Sequence, residues 1–130
     1  MDKKRDLSIY RMQNAKDTLD TAKICREYKR YKDSINRCYY AAFYAIKAVL
    51  ALEGKDFKRH KDAVGYFNQT YVATGKFSRD FGKRLGRLKR KREVSDYDDF
   101  YVASNEEAIE QYESAELIVN QVERYLMKMD

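Results

Sequence analysis

The sequence predicts an all-α protein, an antiparallel up-and-down bundle of four to five helices. The 130 residues include no proline and only five glycines, so little interrupts helical structure. Residues 38–52 form an apolar run in which Lys47 is the only charge. Because strands rarely exceed about ten residues and alanine favours helix, this alanine-rich run predicts a helix. A helix with apolar side chains on nearly all of its faces is buried on nearly all of them. We therefore expect this helix at the centre of the bundle.

The first half of the chain predicts two long helices. Apolar residues recur at steps of three and four between Asp6 and Tyr28, which predicts a first amphipathic helix. Its expected inward stripe is Leu7, Tyr10, Ala15, Leu19, Ala22, Cys25 and Tyr28. After a turn at 29–33, the central helix runs from Ser34 to Glu53. It ends before Gly54, a residue suited to the left-handed closing position of a helix.

The second half predicts three more helices. A third extends from Arg59 to Val72 and a fourth, strongly basic, from Ser78 to Arg92. The apolar residues that we expect these two helices to bury are Val64, Phe67, Tyr71, Phe81, Leu85 and Leu88. Residues 94–103 are aromatic and acidic and predict an ordered loop. The last helix opens with Ser104 and Glu107, which have the spacing of a capping box, and extends through Leu126.

Composition excludes several classes of protein. We expect one domain spanning residues 1–130. Cys25, Cys38 and a single histidine do not supply the ligands of a zinc site, so we expect no metal and no cofactor. The apolar run is shorter than the roughly 20 residues that cross a bilayer, and the N-terminus lacks the apolar core of a secretion signal. These features predict a cytoplasmic protein with no membrane association and two reduced thiols.

Two consecutive segments in the second half of the chain carry opposite charge, within a net charge of +6 for the whole chain. Residues 61–92 include ten Lys and Arg against two acids, whereas residues 93–130 include two Lys and Arg against eleven acids. Lys83, Arg84 and Arg87 of the basic helix are candidate phosphate-binding residues, because clustered cations attract a phosphate backbone. The alternative is a solvated helix face, or pairing with the acidic last helix of the same chain.

Residues 92–97 are the main candidate for a ligand site. Arg92, Asp96 and Tyr97 lie at the junction of the basic helix and the acidic segment, where side chains of both signs can line a cleft. His60 is the fourth candidate ligand-binding residue. The alternatives are that Arg92 pairs with Asp96 to fix the loop, that Tyr97 packs inward, and that His60 is only a polar residue at a helix start. No catalytic residue is assigned, because no serine or cysteine pattern suggests a triad.

The central helix also suggests a subunit interface. Tyr40, Phe43 and Tyr44 cover its second face, and this helix has more apolar surface than one bundle of short helices is expected to cover. Extensive apolar surface commonly marks an interface, so we expect a homodimer. The alternative is that these rings pack inside the core of their own chain.

Three segments resemble a known family. Residues 36–45, N-R-C-Y-Y-A-A-F-Y-A, resemble the Y-Y-A-x-F-x-A helix of HEPN-domain proteins. His60 with Val64 and Phe67 resembles the family's H-x-x-x-V-x-x-F helix, and 92–97 resembles the R-x-x-[AS]-D-Y segment of its small stand-alone branch. The resemblance implies a helical bundle, usually a homodimer, that is often encoded beside a minimal nucleotidyltransferase in modules of toxin-antitoxin type.

The chain departs from the ribonuclease members of that family. Those members are metal-independent and carry an arginine followed within one to two helical turns by a histidine, and often then by a tyrosine that the partner transferase can modify with AMP. Here Asp96 and Tyr97 follow Arg92, and an aspartate has no proton to donate at neutral pH. We therefore expect a non-catalytic module that binds a nucleotide or RNA. The alternative is a divergent ribonuclease that uses Arg92 with His60 or Asp96 across a dimer.

Overall fold

The computed structural model describes residues 2–129, which form five α-helices and no strand. These are α1 (Lys3–Glu27), α2 (Tyr31–Leu52), α3 (His60–Phe67), α4 (Arg79–Tyr97) and α5 (Asn105–Lys128). A π-helical turn, Asn68–Val72, continues α3. The prediction of an all-α helical bundle is confirmed. The predicted domain also includes Met1 and Asp130, which lie outside the described residues.

The central helix of the bundle is α2, as its apolar sequence predicts. It packs against α1, α3, α4 and α5, and thirteen of its 22 residues are buried. Five of these are alanines, which are short enough to let neighbouring helices approach closely. Gly54 then leaves the helix with φ of 71°, the left-handed conformation expected of it.

The hairpin of α1 and α2 is tighter than the sequence indicates. Asp2 caps α1 by accepting a hydrogen bond from the backbone N–H of Lys4 at 3.0 Å, so the helix begins before Asp6. The turn is centred on Lys29, whose φ is 62°. Tyr28 is the C-cap of α1 and is 77% exposed rather than part of the inward stripe.

The inward face of α1 differs from the predicted stripe in its first turns. Leu7 and Tyr10 are 41% and 64% exposed, whereas Ser8 and Met12 are buried. The reason is helical geometry, because Ala15 follows Ser8 by seven residues, close to two full turns. Tyr10 precedes Ala15 by five residues, which places it about 140° away around the helix. The prediction of an inward Leu7 and Tyr10 is therefore wrong.

The contact between α4 and the π-helical turn requires a glycine. All six apolar residues predicted to be buried in this region are buried. A Cβ atom added at Gly82 would lie 2.9 Å from Cγ1 of Val72, a distance that side chains do not tolerate. The absence of a side chain at Gly82 thus sets how closely α4 approaches Val72.

Helix α4 is longer than predicted. It continues to Tyr97, five residues past the expected end at Arg92, so the prediction that residues 94–103 form a loop is wrong for 94–97. Ser95 is fully buried. It follows Leu88 by seven residues and so lies on the same inward face.

Helix α5 begins as its sequence predicts. The Ser104 hydroxyl accepts a hydrogen bond from the backbone N–H of Glu107 at 3.1 Å, which confirms the N-cap. The Glu107 carboxylate also lies 3.0 Å from Nζ of Lys91, so pairing between the basic and acidic helices occurs at this position. Within residues 2–129 no helix is both long and apolar enough to cross a membrane.

The packing generates a prediction about stability. Leu85 is fully buried between helices, whereas Leu7 is 41% exposed. Replacing Leu85 by Ala should lower the free energy of unfolding by about 2–5 kcal/mol, because it removes buried methyl groups and leaves a cavity. Leu7→Ala should lower it by less than about 1 kcal/mol. Urea unfolding followed by circular dichroism at one protein concentration measures both, and equal losses would contradict the packing described.

Candidate functional site

The site is built around Arg92, near the C-terminal end of α4. Its guanidinium carbon lies 4.9 Å from the ring centroid of Tyr39 and 5.5 Å from that of Tyr40. Such cation–π contacts contribute about 0.5–2 kcal/mol each and hold the guanidinium in place. The Arg92 side chain is 12% exposed. Its Nε is buried and has no hydrogen-bond acceptor among the described residues.

A polar network links α4 to the start of α2. Nη1 of Arg92 lies 3.6 Å from Oδ2 of Asp96, one helical turn further along. The same carboxylate oxygen accepts a hydrogen bond from Nδ2 of Asn36 at 3.0 Å. Oδ1 of Asn36 in turn accepts from Nε and Nη2 of Arg37 at 3.0 and 2.6 Å. The Arg37 guanidinium lies 5.0 Å from the ring centroid of Tyr40. Arg37 and Arg92, which stand at the two ends of this network, therefore both contact the ring of Tyr40.

His60, the first residue of α3, lies against the same aromatic rings. Its Nδ1 is 3.4 Å from the hydroxyl oxygen of Tyr39. The ring centroids of His60 and Phe43 are 4.1 Å apart, and those of His60 and Tyr40 are 5.5 Å apart. Tyr39 and Tyr40 therefore contact His60 on one side and Arg92 on the other.

The electrostatics of the site perturb two of its ionisable groups. Burial, and then the positive charges of Arg92, Lys47 and Lys89, lower the pKa of His60 below its ordinary value. The imidazole is consequently neutral at neutral pH. Burial raises the pKa of Tyr39 to about 12, although the Arg92 charge opposes this, so its phenol keeps its proton. The site thus combines two neutral hydrogen-bonding groups with three cations, each of which has a carboxylate partner: Asp56 for Lys47, Glu93 for Lys89 and Asp96 for Arg92.

The structure places all four predicted ligand-binding residues in one network around Arg92. Asp96 pairs with Arg92. His60 contacts Tyr39, the ring that also contacts Arg92. The Tyr97 side chain is 75% exposed. Although burial opposes the shift, its hydrogen bond with Arg92 helps to raise the pKa of that arginine. The two alternatives for residues 92–97 therefore apply in part: Arg92 pairs with Asp96 within its own chain, whereas Tyr97 does not pack inward.

The three predicted phosphate-binding residues all lie near Asp80 but differ in their contacts. Arg84 donates to Oδ2 of Asp80 at 2.8 Å and to the hydroxyl of Ser114 on α5 at 3.0 Å, so it serves the contact between α4 and α5. Lys83 and Arg87 are exposed. Neither forms an ion pair with a residue in the described part of the chain.

The three predicted interface rings have different surroundings. Phe43 is 4% exposed and lies in the core of its own chain. Tyr40 and Tyr44 are partly buried and pack at the edge of that core. Only these two rings present side-chain surface to a second subunit, and their role in an interface stays a prediction.

Sequence reasoning missed four polar residues of the site. Asn36 and Arg37 belong to the quoted motif but were assigned no role, and Lys47 and Lys89 were not singled out as site residues. Lys47 did carry a signal, since it is the only charge in the apolar run. Among residues 2–129, no group of three or more His, Cys, Asp or Glu side chains is placed to hold a metal ion.

Comparison with known proteins identifies the family. A UPF0332 protein of Thermotoga maritima is 29% identical over 126 residues, which cover 97% of this chain and 96% of that protein. A UPF0332 protein of Archaeoglobus fulgidus is 30% identical over 118 residues, 91% of this chain and 94% of that protein. A Methanocaldococcus jannaschii protein that bears the name "putative toxin" is 29% identical over 115 residues, 88% and 85% of the two chains. The family model of the HEPN domain matches residues 9–125, and the chain therefore belongs to the HEPN domain family.

Proposed function

We propose that this protein is a non-catalytic HEPN module that binds a nucleotide or RNA. The observation that carries the proposal is that Arg92 and His60 contact the same two rings, those of Tyr39 and Tyr40. In addition to burial, Lys47 and Lys89 add positive charge that lowers the pKa of His60. The buried Nε of Arg92 lacks an acceptor among the described residues, and a phosphate oxygen would supply one. The fully buried ring of Tyr39 and the partly buried ring of Tyr40 hold the guanidinium in place for that contact.

The absence of catalysis follows from Asp96. In the position where ribonuclease members carry a histidine, this chain has a carboxylate that accepts from Asn36 and pairs with Arg92. These contacts suit an acceptor that orients Arg92. A carboxylate held in this way does not supply the proton that general acid catalysis of RNA cleavage needs.

The wider proposal is a homodimer that works with a minimal nucleotidyltransferase in a system of toxin-antitoxin type. The name of the Methanocaldococcus jannaschii relative supports a connection with toxins. The partly buried Tyr40 and Tyr44, and exposed apolar side chains such as Tyr10, provide surface for a second subunit. The Tyr97 side chain is 75% exposed and hydrogen-bonds the cationic Arg92, which suits modification by a transferase.

A divergent metal-independent ribonuclease is the second candidate. One observation favours it, because the structure brings His60 to the rings that also contact Arg92. A neutral imidazole can accept a proton from a ribose hydroxyl. Cleavage of single-stranded RNA that disappears in His60→Ala, with the fold retained, would establish this candidate and end the non-catalytic proposal.

Removing two cations should weaken RNA binding in a salt-dependent way. In Lys47→Ala with Lys89→Ala, affinity for single-stranded RNA at low salt should fall roughly tenfold. The slope of log affinity against log salt should shrink by about 1.4, because two phosphate contacts are lost. Fluorescence anisotropy with labelled RNA measures both quantities. The exposed pair Lys23→Ala with Lys32→Ala removes the same charge elsewhere, and equal effects of the two double variants would contradict the proposed site.

The ring of His60 should report the bound ligand directly. Because the chain has one histidine, nuclear magnetic resonance of that ring follows a single titration. The pKa of His60 should lie below its ordinary value in the free protein and rise when RNA binds, since phosphate offsets the nearby cations. Protonated His60 then binds RNA more tightly than neutral His60 does. RNA affinity should therefore rise as the pH falls from the pKa of His60 in the complex to its pKa in the free protein. A phosphodiester is the appropriate ligand, because a phosphate monoester itself ionises in this range. A pKa of His60 that RNA does not move would contradict binding at this site.

Tyr97 should be the residue that a partner transferase modifies. Incubating the protein with ATP and a minimal nucleotidyltransferase encoded beside it should add the mass of one AMP, as measured by intact-protein mass spectrometry. Tyr97→Phe should abolish the addition. Tyr28 is a matched control, because it is 77% exposed against 75% for Tyr97. Loss of the addition in Tyr28→Phe but not in Tyr97→Phe would show that the assignment is wrong.

A further inference from the structure

A separate basic cavity lies at the N-terminal end of α4, the end opposite Arg92. Its volume is about 240 Å³, and its lining includes Lys76, Arg124 and Lys128 but no acidic residue. None of the three basic side chains forms an ion pair with a residue that the structure describes. Elsewhere on α4, Lys91 and Arg84 do have acidic partners. The cavity therefore concentrates positive charge that the described part of the chain does not neutralise.

The floor of this cavity is aromatic and ordered. Phe77 is 5% exposed, and its ring centroid lies 4.8 Å from that of Tyr125 on α5. Nζ of Lys76 lies 5.2 Å from the ring centroid of Tyr71, which restrains this lysine beside the floor. Apolar surface beneath the cations reduces the screening of their charges by water. A negatively charged group would consequently be held more strongly here than by lysines on an open helix face.

The start of α4 lies beside the same cavity. Ser78, which lines the cavity, is the N-cap and accepts from the backbone N–H of Phe81 at 3.1 Å. The backbone N–H groups of Arg79 and Asp80, in the first turn, have no acceptor within the helix. The Asp80 carboxylate is engaged by Nε of Arg84 at 2.8 Å. Both the helix dipole and the side chains at this end of α4 favour an anion.

We infer that this cavity is a second phosphate-binding site. Its cations and backbone donors match the oxygen atoms of a phosphate group, and its volume accommodates one. Along α4, fourteen residues separate Ser78 from Arg92, a distance of about 21 Å. A single nucleotide does not reach across this distance, whereas an RNA strand does. The ligand is therefore a single-stranded RNA that is held at both ends of α4. This inference rests on the proposed function at Arg92.

The test observes the two sites separately. Nuclear magnetic resonance of isotope-labelled protein follows the amide signals of Arg79 and Asp80 at the cavity and the ring of His60 at the other site. Inorganic phosphate should shift both amides, and an RNA strand long enough to span α4 should shift the amides and the ring together. Lys76→Ala with Arg124→Ala and Lys128→Ala should remove the amide shifts and weaken RNA binding roughly tenfold or more, since charge-assisted contacts are lost.

The matched control removes three exposed lysines elsewhere, Lys3, Lys23 and Lys32, and should leave the amide shifts and RNA affinity nearly unchanged. Equal loss of RNA affinity in the two triple variants would show general charge attraction and overturn the second site. If the first triple variant did not fold, the double variant Arg124→Gln with Lys128→Gln would replace it in the comparison with the control.

The readouts also distinguish failure of this inference from failure of the proposed function. RNA and phosphate that leave the Arg79 and Asp80 amides unmoved overturn the second site, whether or not His60 responds. If RNA shifts the two amide signals but not the His60 ring signal, RNA does not bind at Arg92, and no strand spans the two sites. In that case the cavity remains a phosphate site for a separate small ligand, and binding of inorganic phosphate alone would identify it.

Discussion

The requirement that α2 be covered on every side determines the arrangement of the other helices. A helix with so little polar surface is stable in water only when neighbours exclude solvent from all of its faces. Its small residues allow α1, α4 and α5 to pack around it. Cover is incomplete near its N-terminal end, where Asn36, Arg37 and Tyr40 are only partly buried. The functional groups gather at that partly covered end, where polar side chains can lie beside buried rings.

Helical periodicity predicts most of this fold, and its errors have physical causes. The apolar run of α2, the stripe of α4 and the Ser104 N-cap of α5 are short-range signals, and the structure agrees with each. The end of α4 was missed because acidic residues are unfavourable near a helix C-terminus. One tertiary contact and one ion pair within the helix offset that cost, because Asn36 of α2 and Arg92 of α4 both engage Asp96. Ser95 gave no apolar signal, although it lies on the inward face.

The site was less predictable than the fold. Residues 92–97 were found by resemblance to a family motif, and within one helix the spacing of Arg92 and Asp96 already favours a pair. The position of His60 beside them depends on how α3 packs against α2, which no local pattern contains. Lys47 and Lys89 lie on different helices, so their shared effect on the pKa of His60 exists only in the folded chain.

The close contact at Gly82 has a consequence for how this protein can vary. Helix α4 is a rigid body, and Arg92 lies about 15 Å along it from Gly82. Any side chain at Gly82 would meet Cγ1 of Val72, so either the Val72 side chain must move or α4 must shift or roll. A roll of α4 would carry the guanidinium of Arg92 away from the rings of Tyr39 and Tyr40. A residue far from the site can therefore affect the site through the position of the helix.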